Sequence, residues 1–442
     1  MTLTEAAFWT KRFGVIVIGV VAVFIIAIIV LLVKDKDIPD EKYLEGNFAC
    51  TETREEFSGN ILTIPSQEIL NEDTFIDVSV ATDTGTYDDD LPDYVNVYRY
   101  RDLGQKLNAQ AQAKILATSF GFDPEEIRRT TSSTRYLWQD RITRRNLNVN
   151  ARDLNFVFNT DIDKIREMRS QSDIPTESEA ISLAKSALRS LGKLKDAYTE
   201  IEPSTHLINI NGDNSFSEAE SLLDAELIRV DFLRKISMIT LRTDLVGVQP
   251  AINTLERKGF NYEIDDIVVD EERVDVFNFN TLITYQKPVK SNISVYIGPE
   301  NTTIDRLPLP NIYQIEYTTW TIDPDSCGTY LLIEPSEAAQ RVQNGEGSIA
   351  FINYDGDEVK QYDPEYVERF IVTDVYITYY EGQVEQNYLQ PVYIFEGEAE
   401  FEDNSTGDFY LYYPAINYDL LEDRKVLEEP ETNDGGSFLP LP

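Results

Sequence analysis

The sequence predicts an α+β protein, in which one amino-terminal transmembrane helix is followed by repeated modules of a helix and an antiparallel sheet. Two observations support this prediction. Residues 13–33 contain no charged residue, and after residue 95 a helical pattern followed by strands occurs three times. The predicted regions are a cytoplasmic tail (1–12), the transmembrane helix (13–33), an acidic juxtamembrane segment (34–95), α+β modules (96–250), a β-rich α+β module (251–421) and a disordered acidic tail (422–442).

The apolar run at residues 13–33 predicts a membrane anchor. A helix of this length spans about 31 Å, which matches the hydrocarbon core of a bilayer. The run leads into a charged stretch at residues 34–37 without the small residues of a cleavage site, so we expect an uncleaved signal-anchor. Because only a short tail precedes it, we expect a single-pass protein of the cell membrane with an extracytoplasmic carboxy-terminal domain.

The charge balance limits the partners of that domain. The chain has 78 acidic and 39 basic residues, which gives a net charge of −39 at pH 7. Such a charge repels the phosphates of nucleic acid. The sequence therefore excludes nucleic-acid binding. We expect two partners, which are the membrane and a membrane or envelope protein.

The two cysteines, Cys50 and Cys327, leave two alternatives open. They form one disulfide in an oxidising compartment, or they remain unpaired thiols.

The first module begins with a helix at residues 102–120. Apolar residues recur there at helical spacing, and Gly121 is the expected stop signal. After this helix, apolar and polar residues alternate at residues 147–151 and 154–158, which predicts two half-buried strands. The order of a helix and then strands is the signature of the module.

The second and third modules follow the same order. Thr176 and Glu179 form a capping box that starts a helix ending near Gly192. A short helix at residues 217–226 is predicted to lead into a long strand through residues 228–238. The last predicted elements are a helix from Pro335 to Asn344 and strands near 348–353, 366–380, 387–400 and 408–414.

Three short motifs carry a resemblance to a known family. Ser178-Glu179-Ala180, Ser217-Glu218-Ala219 and Ser336-Glu337-Ala338 resemble the helix starts of PepSY-like modules. The strand pair from Tyr376 to Phe395 is similar to the one that closes such modules in membrane-anchored regulators of sensor kinases, the YycH/YycI type. The resemblance lies mainly in residues 335–400. It implies a helix packed across a curved antiparallel sheet and a regulatory role, and it supplies no catalytic residues.

Calcium is the only cofactor that the sequence suggests. Oxygen-bearing side chains stand at positions 1, 3, 5, 9 and 12 of an EF-hand-like frame. Asn214 occupies the position of the turn glycine, and a polar turn leading into a helix is the competing interpretation. The candidate ligands at these five positions are Asn209, Asn211, Asp213, Ser217 and Glu220, and Ser215 at position 7 is a further candidate.

One basic stretch opposes the global charge. Residues 128–152 contain seven arginines and a single acid, Asp140. Because arginine forks bind carboxylates and phosphates, this stretch suggests a docking surface for an acidic partner or an anionic wall polymer. Pairing with acids elsewhere in the chain is the alternative. The candidate binding residues are Arg128, Arg129, Arg135, Arg141, Arg144 and Arg145.

Signals for catalysis are few. His206 is the only histidine, so a zinc site with two histidines is excluded and a Ser-His-Asp triad would have to use this residue. The sequence thus favours an extracytoplasmic binding or regulatory protein that acts through protein contacts. The alternatives are a hydrolase with paired carboxylates and a calcium-stabilised structural or adhesion protein.

Overall fold

The computed structural model describes residues 50, 62–70, 77–82, 85–87, 92, 94–101, 108–129, 134–161, 174–212, 215–244, 248–257, 259–269, 271–302, 305–354, 356–360 and 362–418. The chain divides into two compact units. In the described part, the smaller unit comprises residues 241–278 and the larger unit comprises the rest. The predicted tail at residues 422–442 lies outside the described residues.

The protein is mainly β, so the predicted α+β fold of repeated modules is wrong. The described residues contain four α-helices, one 3₁₀ turn at Asp196–Tyr198 and nineteen strands. The helices are α1 (Ala109–Ser119), α2 (Glu177–Ser190), α3 (Val248–Arg257) and α4 (Pro335–Gln343).

The strands are β1 (Val78–Val80), β2 (Tyr94–Arg99), β3 (Arg128–Arg129), β4 (Arg135–Asp140), β5 (Arg145–Asn150), β6 (Phe156–Thr160), β7 (Ser204–Ile210), β8 (Phe216–Glu218), β9 (Leu227–Asp231), β10 (Lys235–Arg242), β11 (Tyr262–Val269), β12 (Glu272–Thr284), β13 (Ile293–Ile297), β14 (Ile312–Tyr317), β15 (Gly328–Leu331), β16 (Ser348–Ile352), β17 (Val367–Tyr380), β18 (Tyr388–Phe401) and β19 (Thr406–Pro414).

The amino-terminal sheet belongs to the larger unit and has nine strands. Their order is β3-β4-β5-β6-β14-β13-β9-β7-β8. The pairing of β6 with β14 joins segments that lie more than 150 residues apart in the sequence. Helices α1 and α2 pack on the same face of this sheet, where Leu116 and Leu188 share a buried cluster with Trp138 and Phe158. Two helices thus cover one sheet, and no separate module surrounds either of them.

The carboxy-terminal sheet is built around the long hairpin of β17 and β18. Its main path is β10-β12-β17-β18-β19-β16, and β2 joins β18 to β15. The strand β1 pairs with β17 in parallel. The smaller unit contains α3 and the hairpin of β11 with the first part of β12.

Some predicted elements are present in the structure, and others differ from it. The capping box is present, since Glu179 N donates to Thr176 Oγ1 and Thr176 N donates to the Glu179 carboxylate. The helix predicted at residues 217–226 is instead the strand β8 followed by a turn, because β8 pairs with β7. The long strand predicted at residues 228–238 is divided into β9 and β10.

The predicted single-pass localisation with a signal-anchor is corrected here. None of the four helices in the described part of the chain combines the length and the apolar composition needed to cross a bilayer. Residues 13–33, in which the anchor was predicted, lie outside the described residues.

Of the two alternatives for the cysteines, the structure contains the disulfide. Cys50 is bonded to Cys327 across a sequence separation of 277 residues. The bridge lies in a small buried cluster next to β2 and β15. This cluster contains Val97, Tyr330, Tyr388 and Ile416.

Candidate functional site

One face of the amino-terminal sheet is polar across seven strands. Side chains alternate between the two faces of a strand, so residues in register on neighbouring strands share a face. The opposite face is the core beneath α1 and α2. We name the following two rows the polar face. One row contains Gln139, Asn146, Asn159, Gln314, Tyr296, Arg229 and His206. The other contains Leu137, Asn148, Val157, Glu316, Ser294, Asp231 and Ser204.

The open half of the polar face lies on β4, β5, β6 and β14. Gln139, Val157 and Asn159 are exposed there, and Asn146 and Asn148 are half-buried. Among the described residues, the side-chain amides of Asn146, Asn148 and Asn159 have no hydrogen-bond partner. Three neighbouring amides on two strands are therefore free to bind a ligand.

The other polar side chains of the open half have partners. Gln139 Oε1 accepts a hydrogen bond from Arg128 Nη1 at 3.3 Å. Gln314 Nε2 donates to Glu316 Oε1 at 2.8 Å, and Lys290 Nζ donates to the same oxygen at 2.7 Å. The carboxylate on this half of the face is thus neutralised by an adjacent cation.

The covered half of the polar face lies on β13, β9 and β7. Arg229 Nε donates to Asp231 Oδ2 at 2.7 Å, and Arg229 Nη2 donates to the Val289 carbonyl at 2.6 Å. Ser294 Oγ donates to the other oxygen of Asp231. Since Arg229 and Asp231 are almost fully buried, this ion pair and its hydrogen bonds form a structural part of the larger unit.

A cavity of about 300 Å³ adjoins this covered half. His206 and Asp231 line it from the amino-terminal sheet, and Tyr376 and Tyr410 line it from the carboxy-terminal sheet. His206 lies between two carboxylates: its Nε2 is 3.7 Å from Asp231 Oδ2, and its Nδ1 is 3.7 Å from Glu358 Oε2. Both distances exceed that of a hydrogen bond. The side chain of His206, the only histidine in the sequence, is 14% exposed and lies at the wall of this cavity.

Burial shifts the pKa values of His206 and of the neighbouring Glu358 in opposite directions. Burial lowers the pKa of the His206 imidazole, the charge of Arg229 lowers it further, and the Asp231 carboxylate only partly opposes them. Burial raises the pKa of the Glu358 carboxyl, and the negative charge of Glu218 raises it further. Burial thus favours the neutral form of each group.

The predicted arginine surface is not one surface in the structure. Arg145 is buried and donates to the carbonyl oxygens of Pro308 and Leu309 at 2.7 and 3.0 Å. Burial lowers the pKa of this guanidinium to about 10. Arg144 forms an ion pair with Asp161 at 3.4 Å.

The remaining arginines divide into three places. Arg128 and Arg135 lie at the border of the open half of the polar face. Arg128 is in register with Leu137 on the neighbouring strand, and Arg135 lies two residues before Leu137 on β4, so both share the face of Leu137. Arg141 is exposed in the turn between β4 and β5. The side chain of Arg129 lies outside the described part of the chain. Of the five candidates whose side chains the structure describes, two thus lie on a common face with the free amides.

Four of the candidate calcium ligands, Asn209, Asn211, Ser215 and Ser217, lie in the hairpin of β7 and β8. Asn211 Nδ2 donates to Ser215 Oγ at 3.0 Å, and Ser217 Oγ donates to Asn211 Oδ1 at 3.1 Å. Glu220 is exposed beyond the hairpin, and Asp213 lies outside the described residues. In the part of the chain that the structure describes, no three His, Cys, Asp or Glu side chains are arranged to hold a metal ion. The calcium site stays a prediction.

Comparison of the chain with family models, curated proteins and solved structures finds no match. The candidate site therefore rests on geometry. One signal for it was present in the sequence: in Asn146-Leu147-Asn148-Val149-Asn150 the asparagines alternate with buried apolar residues, which places three amides on one face of a strand. The sequence does not show that Asn159 and Gln314 extend this face, because that depends on which strands pair.

Proposed function

We propose that this chain is a binding protein and that a partner macromolecule docks on the open half of the polar face. The observation that supports this proposal is the set of free amides of Asn146, Asn148 and Asn159. Each amide offers two donors and an acceptor oxygen to a ligand. Because paired strands hold the backbone of these residues, binding has to order only their short side chains.

The charge of this surface also favours binding there. The chain as a whole carries −39, which repels anionic partners from most of its surface. On the open half of the polar face, Glu316 is paired with Lys290, and Arg128 and Arg135 add positive charge. A partner that is polar or acidic meets less repulsion here than on the remainder of the molecule.

The proposal is tested by site-specific photocrosslinking in the cells that produce the protein. A photoreactive amino acid replaces Asn148 in one variant and Leu223 in the control. Leu223 is 96% exposed in the turn after β8, at the other edge of the same sheet. We expect a discrete adduct from position 148 and none from position 223.

A second pair of variants guards against nonspecific capture. Asn148→Glu places a negative charge on the face, whereas Leu223→Glu places the same charge at the control site. The adduct, followed with the photoreactive group at position 157, should be lost in Asn148→Glu and retained in Leu223→Glu. No adduct from either face position, or equal adducts from face and control positions, contradicts the proposal.

A further inference from the structure

We infer that the partner is a linear acidic polysaccharide, a few sugar residues of which lie across β4, β5, β6 and β14. This inference rests on the proposed function and specifies the chemical class of its partner. Its basis is the size of the open half of the polar face, the chemistry of its free amides and the position of its two arginines.

The size of the surface argues against a protein partner. Neighbouring strands lie about 4.8 Å apart, so four strands span about 14 Å, and the two rows of the polar face lie about 7 Å apart along the strands. The resulting area of about 100 Å² is about an eighth of what each partner buries in a stable protein interface. An extended sugar chain is narrow enough to use a surface of this size fully, and the length of one sugar is close to the strand spacing.

The chemistry of the amides fits sugar hydroxyl groups. A hydroxyl group both donates and accepts hydrogen bonds, and a side-chain amide does the same through its NH₂ and its oxygen. Asn146 and Asn159 lie opposite each other on β5 and β6, and Asn148 lies two residues along β5. Next to them, Leu137 and Val157 offer apolar contact to the C–H groups of a sugar ring.

The two arginines favour an acidic sugar chain over a neutral one. Arg135 is exposed, and it has no ion pair with any described residue. Arg128 contacts Gln139 at the same edge of the face. A guanidinium fork binds a carboxylate through two parallel hydrogen bonds. We therefore place at least one carboxylate of the sugar chain over β3 and β4, and hydroxyl groups of its neighbouring sugars over β5 and β6.

Calorimetric titration of the purified protein tests the inference. The probes are hexamers of galacturonate, of mannuronate and of hyaluronan, with the uncharged hexamer of β-1,4-linked glucose as reference. We expect at least one acidic hexamer to bind with a Kd below about 1 mM and more tightly than the neutral one. Because the amides are free of protein contacts, the double variant Asn146→Ala/Asn148→Ala should keep its melting temperature while its affinity falls about tenfold.

Two further variants separate the contributions. Arg135→Gln should weaken the acidic hexamer severalfold and leave the neutral hexamer unchanged, and Leu223→Ala should change neither. Failure of all three acidic hexamers to bind, or equal binding by the face and control variants, overturns the inference. If position 148 captures a protein and no hexamer binds, the polysaccharide is wrong and the docking face stands. If position 148 captures nothing and no hexamer binds, both are wrong.

Discussion

Arg234 and Glu381 form a buried ion pair, in which Arg234 Nη2 donates to Glu381 Oε2 at 2.6 Å. Arg234 lies between β9 and β10, and Glu381 directly follows β17. The pair therefore connects the two large sheets within the larger unit. Burial lowers the pKa of the Arg234 guanidinium, but the Glu381 carboxylate together with Tyr198, Tyr285 and Tyr100 more than offsets this, so that the net shift is upward. The guanidinium stays charged and depends on its partner.

We expect Glu381→Gln to lower the free energy of unfolding by about 3–5 kcal/mol, because it leaves a buried guanidinium without its counter-charge. Urea denaturation measures this loss. Glu400→Gln is the matched control, since it breaks the largely exposed pair of Arg369 and Glu400 and should cost no more than about 1 kcal/mol. Equal losses in the two variants would show that burial of the Arg234 pair is unimportant.

Removal of the disulfide should destabilise the larger unit. The bond between Cys50 and Cys327 closes a loop of 277 residues, and the chain-entropy model assigns it about 5–6 kcal/mol. We expect the double variant Cys50→Ser/Cys327→Ser to lose a comparable free energy of unfolding in urea. Dithiothreitol should lower the stability of the natural chain and leave that of the double variant unchanged. A double variant as stable as the natural chain would contradict the prediction.

Gly397 marks a place on β18 with no room for a side chain. A Cβ atom at this position would clash with the carbonyl oxygen of Ile371 on the paired strand β17. We expect Gly397→Ala to cost about 1–3 kcal/mol, because the strands must move apart. Gly212→Ala is the control, since no described atom lies within 4 Å of the place its Cβ would occupy and the change should stay within about 0.5 kcal/mol. Thermal unfolding compares the two variants.

The stability of the fold should depend on the protonation of His206. Its pKa in the folded state is lowered, by burial first and then by the charge of Arg229, so the folded state binds the proton more weakly than the unfolded state. Its contribution is therefore complete above the ordinary value of 6.5 and is lost as the pH falls towards the folded-state value. We expect His206→Asn to remove this loss, measured by urea denaturation between pH 7.5 and pH 5.

Glu358 provides the matching control, because its shift has the opposite sign. Burial raises the pKa of its carboxyl above the ordinary value of 4.5, so its contribution is complete below that value and is lost as the pH rises through the folded-state pKa. Glu358→Gln should therefore steepen the net loss of stability on acidification, whereas His206→Asn should reduce it. If the free energy of unfolding of both variants changes with pH in the same way, this explanation of the two pKa shifts is contradicted.

Local elements were predictable from the sequence because their contacts are local. The capping box of Thr176 and Glu179 and the helix that begins at Pro335 each involve residues within one or two turns. The strands predicted at residues 366–380 and 387–400 likewise correspond to the paired strands β17 and β18, which are neighbours in the sequence. The segment at residues 217–226 was misassigned because its pairing with β7, and not its own pattern, determines its conformation.

By itself, the sequence determined the acidic charge, three of the four described helices, fewer than half of the nineteen described strands, and the alternation that places Asn146 and Asn148 on one face of β5. Only the tertiary structure decided that Asn159 and Gln314 continue this face, that Arg145 binds the carbonyl oxygens of Pro308 and Leu309, and that two sheets replace three modules. The physical reason is that an alternating strand specifies which side chains share a face but not which strand lies beside it. That choice depends on burial and hydrogen bonds between segments far apart in the chain.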